Sequence, residues 1–261
     1  MTAPDSVART LVREHAAAER FRPFAAASGI GDMAAAYRVQ SAFVDLLSRT
    51  SAARPAGYKV GLTSPRMQAM CGVDQPIAGV VLANRIHRSG AAIGTSDYGR
   101  LGIEFEIAVL IGRDVPPRSS PYTMETIGDV VEGVSAAVEL VDDRHADYKA
   151  FDVLSVVADN SWNAGIVHGA FAASWPDLRE VDGVAYRNGA ELDRGSGRDV
   201  LGHPFASLAW LANHLAANGG QLRRGDIVMT GSLVPTRFPA PGEDYRFAVT
   251  GIGEVALKIG G

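Results

Sequence analysis

The segment Gly102-Ile103-Glu104-Phe105-Glu106-Ile107-Ala108-Val109-Leu110 decides how the chain is read. Side chains alternate faces along a strand, so Glu104 and Glu106 point the same way as Ala108 and Leu110, while Ile103, Phe105, Ile107 and Val109 form the other face. Two carboxylates on one face stand only ~7 Å apart along a strand and repel one another. A solvated face tolerates that, as in most amphipathic strands. Here the same face continues into Ala108 and Leu110, so the strand heads inside, where paired carboxylates need a cation. A second apolar stretch, Val134-Ser135-Ala136-Ala137-Val138-Glu139-Leu140-Val141, carries one acid, Glu139, which alone would read as a strand-terminal surface residue. Together the three carboxylates form a hard oxygen site suited to Mg²⁺ or Mn²⁺ and not to zinc. Neither strand contains His or Cys.

Around these two strands the texture is that of an α+β chain with a mainly β core. Gly57–Thr63, Gly183–Arg187, Ile227–Thr230, Phe247–Thr250 and Glu254–Ile259 are predicted strands, with hairpin-type turns at Asn188-Gly189 and Gly251-Ile252-Gly253. Helical spacing appears at Ser6–Arg20 and from about Asp32 to Arg49, ahead of a linker at Ser51–Ala56. Further helices are predicted at Met124–Glu132 and Pro204–Ala217, and Ser64-Pro65 starts a short one, with Ser as cap and Pro in the first turn. Runs of strands with few helices argue against alternating βαβ units. The expected division is a helical N-terminal segment, 1–55, and a strand-rich domain, 56–261.

Composition narrows the function classes. The 261 residues hold 25 Lys and Arg against 29 Asp and Glu, a formal net charge of −4 without a basic run beyond Arg223-Arg224, which disfavours nucleic acid and anionic membrane as partners. A single cysteine, Cys71, excludes an internal disulfide and a zinc finger; it reads as a buried small hydrophobe, not a nucleophile. No apolar run approaches the ~18 residues of a membrane span. The start, Met1-Thr2-Ala3-Pro4-Asp5, has no apolar signal core. A soluble, cytoplasmic protein is expected.

Lys59 lies in Gly57-Tyr58-Lys59-Val60-Gly61-Leu62-Thr63, otherwise apolar and edged by glycines. Lysines are mostly solvated at strand edges, but a partly desolvated ammonium here could polarise a substrate oxygen or relay a proton. His203, before Pro204, reads as part of a helix start. His145 and His168 lack partners nearby in sequence.

These residues carry a resemblance. The Lys59 segment, Ile103-Glu104-Phe105-Glu106-Ile107, Val138-Glu139-Leu140-Val141, Val156-Val157-Ala158-Asp159-Asn160, Leu201-Gly202-His203-Pro204 with Ala209-Trp210-Leu211-Ala212, and Gly225-Asp226-Ile227-Val228-Met229-Thr230-Gly231 resemble the hydratase/decarboxylase branch of the fumarylacetoacetate hydrolase superfamily. Each motif is weak alone; six in order from about Asp32 to the end are specific. The resemblance implies a mixed β-sheet roll with a small helical N-terminal part, and a Mg²⁺ or Mn²⁺ site. It implies Glu104, Glu106 and Glu139 as metal ligands, Lys59 as the active-site lysine, and Ser161 as a small polar residue near the substrate. Enzymes of this branch act on short 2-oxo or 2-enol dienoates from meta-cleavage of catechols, the metal chelating the C1 carboxylate and C2 oxygen. A homo-oligomer is implied, with possible association between hydratase and decarboxylase partners.

Gln75-Pro76-Ile77-Ala78-Gly79 separates the reactions. Hydratases of this branch usually carry Asp after that Pro, whereas 4-oxalocrotonate (2-oxo-3-hexenedioate) decarboxylases resemble this chain with Pro-Ile. They also resemble it across Asp143–Lys149 and Leu154–Asn160. Hydrating a dienol requires protonating a distal carbon and activating a water; decarboxylation requires an electron sink, which a metal supplies. An apolar Ile77 near the departing carboxylate favours loss of its charge. Decarboxylation of a 2-oxo-3-hexenedioate-type substrate is therefore expected first, hydration of 2-hydroxypenta-2,4-dienoate second, and C–C hydrolysis of an acylpyruvate third, since no His stands out as its base. Arg144 could bind a second substrate carboxylate or pair with Asp142 or Asp143 on the surface. A non-catalytic partner is the remaining class, and it would not need a buried acidic cluster.

Overall fold

The computed structural model describes residues 3–261; Met1 and Thr2, with that part of the leader reading, lie outside the described residues. Two helices, α1 (Ala3–Ala16) and α2 (Met33–Ser51), open the chain, the second capped by Asp32, whose carboxylate accepts the Ala35 N–H. Then come β1 (Pro55–Gly61), α3 (Pro65–Met70), β2 (Ile77–Leu82), β3 (Ile86–Arg88), β4 (Ala91–Gly94) and β5 (Leu101–Ile111). The middle holds α4 (Met124–Ile127), β6 (Val131–Asp142), α5 (Val153–Ala158) and β7 (Asn163–His168). The last part runs through β8 (Asp182–Arg187), β9 (Ala190–Ser196), α6 (Pro204–Ala217), β10 (Ile227–Ser232), β11 (Asp244–Val249) and β12 (Gly253–Gly260). Among the described residues no helix is long and apolar enough to cross a membrane.

The strands form two mixed sheets, ordered β2-β1-β10-β5-β6-β7-β3 and β4-β12-β11-β8-β9. The apolar face of β5 fills the space between them: Ile103, Phe105, Ile107 and Val109 are fully buried, and Phe105 packs on Phe247 with ring centroids 5.4 Å apart. Truncating such a ring costs about 3–5 kcal/mol. β2 and β7, separated in the sheet order, also touch, so the larger sheet rolls. Inside the roll, on the face opposite the main core, lie Val81, Ala108, Ala137, Ile166 and Met229. The glutamates share that inner face. The expected mixed β roll is thus observed.

The N-terminal helices pack on α5, Phe21 meeting Trp162 edge-on at 5.1 Å, in a cluster that also takes in Phe43, Ile77, Val141 and Val157.

Several elements differ in extent from expectation, including the first helix, Ala3–Ala16 and not Ser6–Arg20, and the strand expected over Phe247–Thr250, which runs Asp244–Val249. The helix expected over Met124–Glu132 stops at Ile127, passes through a single 3₁₀ turn and becomes strand at Val131. Val131 pairs with Ile111, and pairing on a buried sheet outweighs local helical spacing. The first strand ends at Gly61, not Thr63, because Leu62 turns the chain with a φ of 56°. The Asn188-Gly189 hairpin forms as read, with φ of 51° and 81°.

Candidate active site and metal centre

Register builds the acidic cluster. β5 and β6 pair along nearly their whole length, and this sets Glu104 directly opposite Glu139, with Glu106 two residues along on the same face. One carboxylate oxygen from each residue lies within 4.8 Å of the others. Glu106 and Glu139 are fully buried and Glu104 partly so.

Each carboxylate has one oxygen fixed by the chain. Thr236 Oγ1 donates to Glu104 Oε1 at 2.5 Å, and the Gly231 N–H to Glu106 Oε2 at 2.8 Å. Asn163 Nδ2 donates to Glu139 Oε1 at 2.9 Å, and Lys59 Nζ reaches the same oxygen at 3.2 Å. Glu106 Oε1 and Glu139 Oε2 are buried without a hydrogen-bond partner. Burial, with the neighbouring carboxylates, pushes Glu106 well above the usual carboxylate range, and burial with Glu104 pushes Glu139 up to about 7 despite Lys59. Burial alone would lower the Lys59 ammonium, but Glu139, Glu104 and Glu106 outweigh it and hold the proton on more tightly. Three acids against one ammonium, with two orphaned oxygens, fit a divalent cation with oxygen ligands.

Lys59 is placed by β1, between β2 and β10, opposite Gly79. A Cβ on Gly79 would stand 3.1 Å from Lys59 Cγ and 2.6 Å from the Asn160 carbonyl, so only glycine lets the lysine stem and that turn approach. Ile77 Cγ1 and Lys59 Nζ both come within 3.4 Å of where a Cβ on Gly61 would sit. Hydrocarbon therefore flanks the ammonium.

A cavity of about 480 Å³ opens onto Lys59 and Glu104, with Ile77 and Ser161 also in its lining, and Glu106 and Glu139 lie buried behind. Val141, Phe151, Val156 and Trp162 make much of its wall apolar. Ser161 belongs to three successive left-handed residues, Asn160, Ser161 and Trp162, with φ of 53°, 51° and 58°. Each non-glycine residue so held costs about 1–3 kcal/mol and persists only where the surroundings enforce it. Here the Asn160 amide clamps the Val80 backbone at 2.7 and 2.9 Å, and Ser161 Oγ donates to the Ala78 carbonyl at 2.8 Å. A hollow of about 450 Å³ under α1, lined by Thr10, Glu14 and Phe24, holds no comparable cluster among the described residues.

Arg144 is not brought to the cavity. Its side chain is fully buried, with Nη2 on Asp159 at 2.8 Å and Nη1 on the Glu19 carbonyl at 3.0 Å and on Glu14 at 3.4 Å. It pairs neither with Asp142 or Asp143 nor at the surface: Asp143 takes the Arg100 guanidinium, and Asp142 accepts backbone N–H groups, including that of Arg144. The sequence pattern also missed Thr236, Asn163 and Tyr148, the last of which lines the cavity. Gly231 lies in a quoted motif, but its donor role is invisible without the fold. His203 caps α6, its Nδ1 accepting the Phe205 N–H at 2.9 Å. Cys71 is half-buried rather than buried, with burial raising its thiol, which keeps it a poor nucleophile.

Fold and site together define a family. Residues 59–259 match the fumarylacetoacetate (FAA) hydrolase C-terminal family, and the chain belongs to it. It is 34% identical over 235 residues to the 2-keto-4-pentenoate hydratase of Burkholderia vietnamiensis (strain G4 / LMG 22486), covering 86% of this chain and 85% of that protein. It is 35% identical over 208 residues to the 4-oxalocrotonate decarboxylase of Pseudomonas putida, covering 78% and 76%. The solved 4-oxalocrotonate decarboxylase from Pseudomonas putida G7, complexed with magnesium and adipate, superposes with a TM-score of 0.90 at 28% identity, over 98% of this chain and 97% of that one.

Proposed function

We propose that this chain is a Mg²⁺- or Mn²⁺-dependent carbon lyase that decarboxylates a 2-oxo-3-hexenedioate-type substrate to a 2-hydroxydienoate. The observation that carries the reading is the orphaned pair Glu106 Oε1 and Glu139 Oε2, which, with Glu104 and Lys59, underlies a largely apolar cavity bearing Ile77. Similarity to a decarboxylase solved with magnesium and a six-carbon diacid supports both cation and substrate class.

Glu104, Glu106 and Glu139 would hold the cation, which when bound supplies a Lewis acid for the substrate's C1 carboxylate and C2 oxygen. The chain's own groups do the rest. The bond from C5 to the distal carboxylate breaks, its electrons form C4=C5, the C3=C4 pair moves to C2=C3, and C2=O takes the negative charge. CO₂ leaves without a proton being removed from carbon. Lys59 Nζ, held by Glu139, donates a hydrogen bond to the C2 oxygen as charge builds and passes it a proton to give the enol. Val141, Phe151, Val156 and Trp162 wall the cavity with hydrocarbon and keep water from the enolate as it forms. Ser161 borders the substrate. Arg144 acts at a distance, holding Asp159 and so the turn that presents Ser161.

Hydration of 2-hydroxypenta-2,4-dienoate is the second reading, favoured by the similarity to a hydratase. It needs a second proton-transfer group beside Lys59, where this chain has Ile77. Incubating the Mg²⁺-loaded protein separately with each substrate and following products by NMR distinguishes them: CO₂ loss from the hexenedioate without hydration of the dienoate supports decarboxylation, and the converse replaces it with hydration. A cytoplasmic homo-oligomer, able to associate with a partner hydratase, completes the reading on the family resemblance; sedimentation of the purified protein reports the oligomer. The helical segment 1–55 belongs, on this reading, to the same working unit as 56–261.

A further inference from the structure

The cavity contains two basic residues among its lining, Lys59 and Arg66. Lys59 is buried and already paired with Glu139. Arg66 is different: it is exposed on α3 at the cavity's rim, and among the described residues its guanidinium has no hydrogen-bonded or ion-paired partner. Of the acids lining the cavity, Glu104 belongs to the carboxylate cluster, and Asp199 is engaged by the Ser196 N–H at 2.7 Å.

The placement of Arg66 is built by the chain. Leu62 turns left-handed just after the strand that carries Lys59, and Ser64 caps α3, its Oγ accepting the Met67 N–H at 3.3 Å. Gln68 Nε2 ties the helix back to the Leu62 carbonyl at 2.9 Å. The same short helix lays Met67 and Met70 along the cavity. The cavity lining thus combines the buried Lys59 ammonium beside Glu104, hydrocarbon, and the exposed free guanidinium of Arg66. That combination of surfaces matches a short chain with an anionic group at each end.

We infer that Arg66 recognises the distal carboxylate of a dicarboxylate substrate, the role that Arg144 cannot fill from its buried position. The inference rests on the dicarboxylate reading of the site above and names the residue that enforces it. Because the carboxylate that Arg66 holds is the one that leaves as neutral CO₂, the contact is stronger in the ground state than in the transition state. Its loss therefore falls on substrate binding and does not slow the chemical step.

The test uses the full-length Mg²⁺-loaded protein, as wild type, R66M and R66K. Calorimetric titration with adipate and with hexanoate, which lacks the second carboxylate, reads recognition without turnover. Wild type binds adipate more tightly, R66M loses about ten-fold on adipate and nothing on hexanoate, and R66K recovers part of the difference. In turnover of 2-oxo-3-hexenedioate, R66M raises KM about ten-fold without lowering kcat. An R66M protein that keeps the wild-type preference for adipate, or that lowers kcat with KM unchanged, overturns the assignment. If wild type turns over no hexenedioate yet R66M abolishes the adipate preference, the reaction reading fails while the role of Arg66 stands.

Discussion

Two buried ionic clusters lie on opposite sides of the turn at residues 159–162, and they are built on opposite principles. Around Arg144, the acids are saturated. Asp142 accepts the Gly99, Arg100 and Arg144 N–H groups, Asp143 takes Arg100 and the Tyr148 hydroxyl, and Asp159 takes Arg144 and His15. Only Arg144 Nε lacks a partner. Around Lys59, three acids face one ammonium and two oxygens are left bare. Burying charge costs several kcal/mol per ion unless it is paired and hydrogen-bonded, so the saturated cluster is a fastening and the unsaturated one fits a divalent cation. Burial cannot distinguish them, since both contain fully buried charges; the count of satisfied oxygens does.

The sharpest way to break this contrast is to remove one bare oxygen. Glu106→Gln should abolish Mg²⁺-dependent turnover and weaken Mn²⁺ binding beyond the ~10–100-fold typical of losing an outer partner of a metal site. The fold should survive, because a like charge is removed from a crowded cluster. Calorimetric Mn²⁺ titration and circular dichroism check both halves, and near-wild-type activity would take Glu106 out of the ligand set. Next, Lys59→Met should cost about 10²–10⁴-fold in kcat, the usual range for losing a proton-transfer group. The variant should still bind Mn²⁺, so a parallel loss of metal would make the lysine a structural counter-ion.

The saturated cluster should answer differently. Arg144→Met leaves Asp159 with His15 alone and should destabilise the protein by about 3–5 kcal/mol, as breaking a buried pair does, read by urea unfolding. A variant as stable as wild type would mean that the cluster fastens nothing. The smallest effect is on pH. In metal-free protein Glu139 sits at about 7 against an unfolded value near 4.5, so the native state holds a proton that the unfolded state has lost. Stability of the stripped protein should therefore fall as pH rises from about 4.5 to about 7. Saturating Mg²⁺ should flatten that slope, and an unchanged slope would place the cation elsewhere.

The contrast also explains what was legible in the chain. Glu104, Glu106 and Glu139 stood out because carboxylates in apolar strands violate the hydrophobic pattern, and strand alternation already put two of them on one face. Their meeting with Glu139 depends on register, which alternation along one strand does not reveal. The flanking donors Thr236 and Asn163 come from a distant loop and a short strand with no pattern of their own. Arg144 and Arg66 show the same limit from the other side. Amid acids, Arg144 read as a carboxylate binder or a surface pair, yet the fold buries it against Asp159, which lies fifteen residues on. Arg66 lies on the short helix that Ser64-Pro65 starts, as expected, but it reaches the cavity because Leu62 bends the chain there. The short strands β2, β3, β4, β7 and β9 and helix α5 went unread because three to seven residues carry too little periodicity to separate strand from loop.

We propose that the unsaturated carboxylates hold a divalent cation on which carbon–carbon cleavage depends. The most direct measurement is CO₂ release from 2-oxo-3-hexenedioate by protein stripped with EDTA and then titrated with Mg²⁺. Turnover should be absent in the stripped enzyme and return as one cation binds per chain. Equal turnover with and without EDTA, from a folded protein that binds no cation, would contradict it.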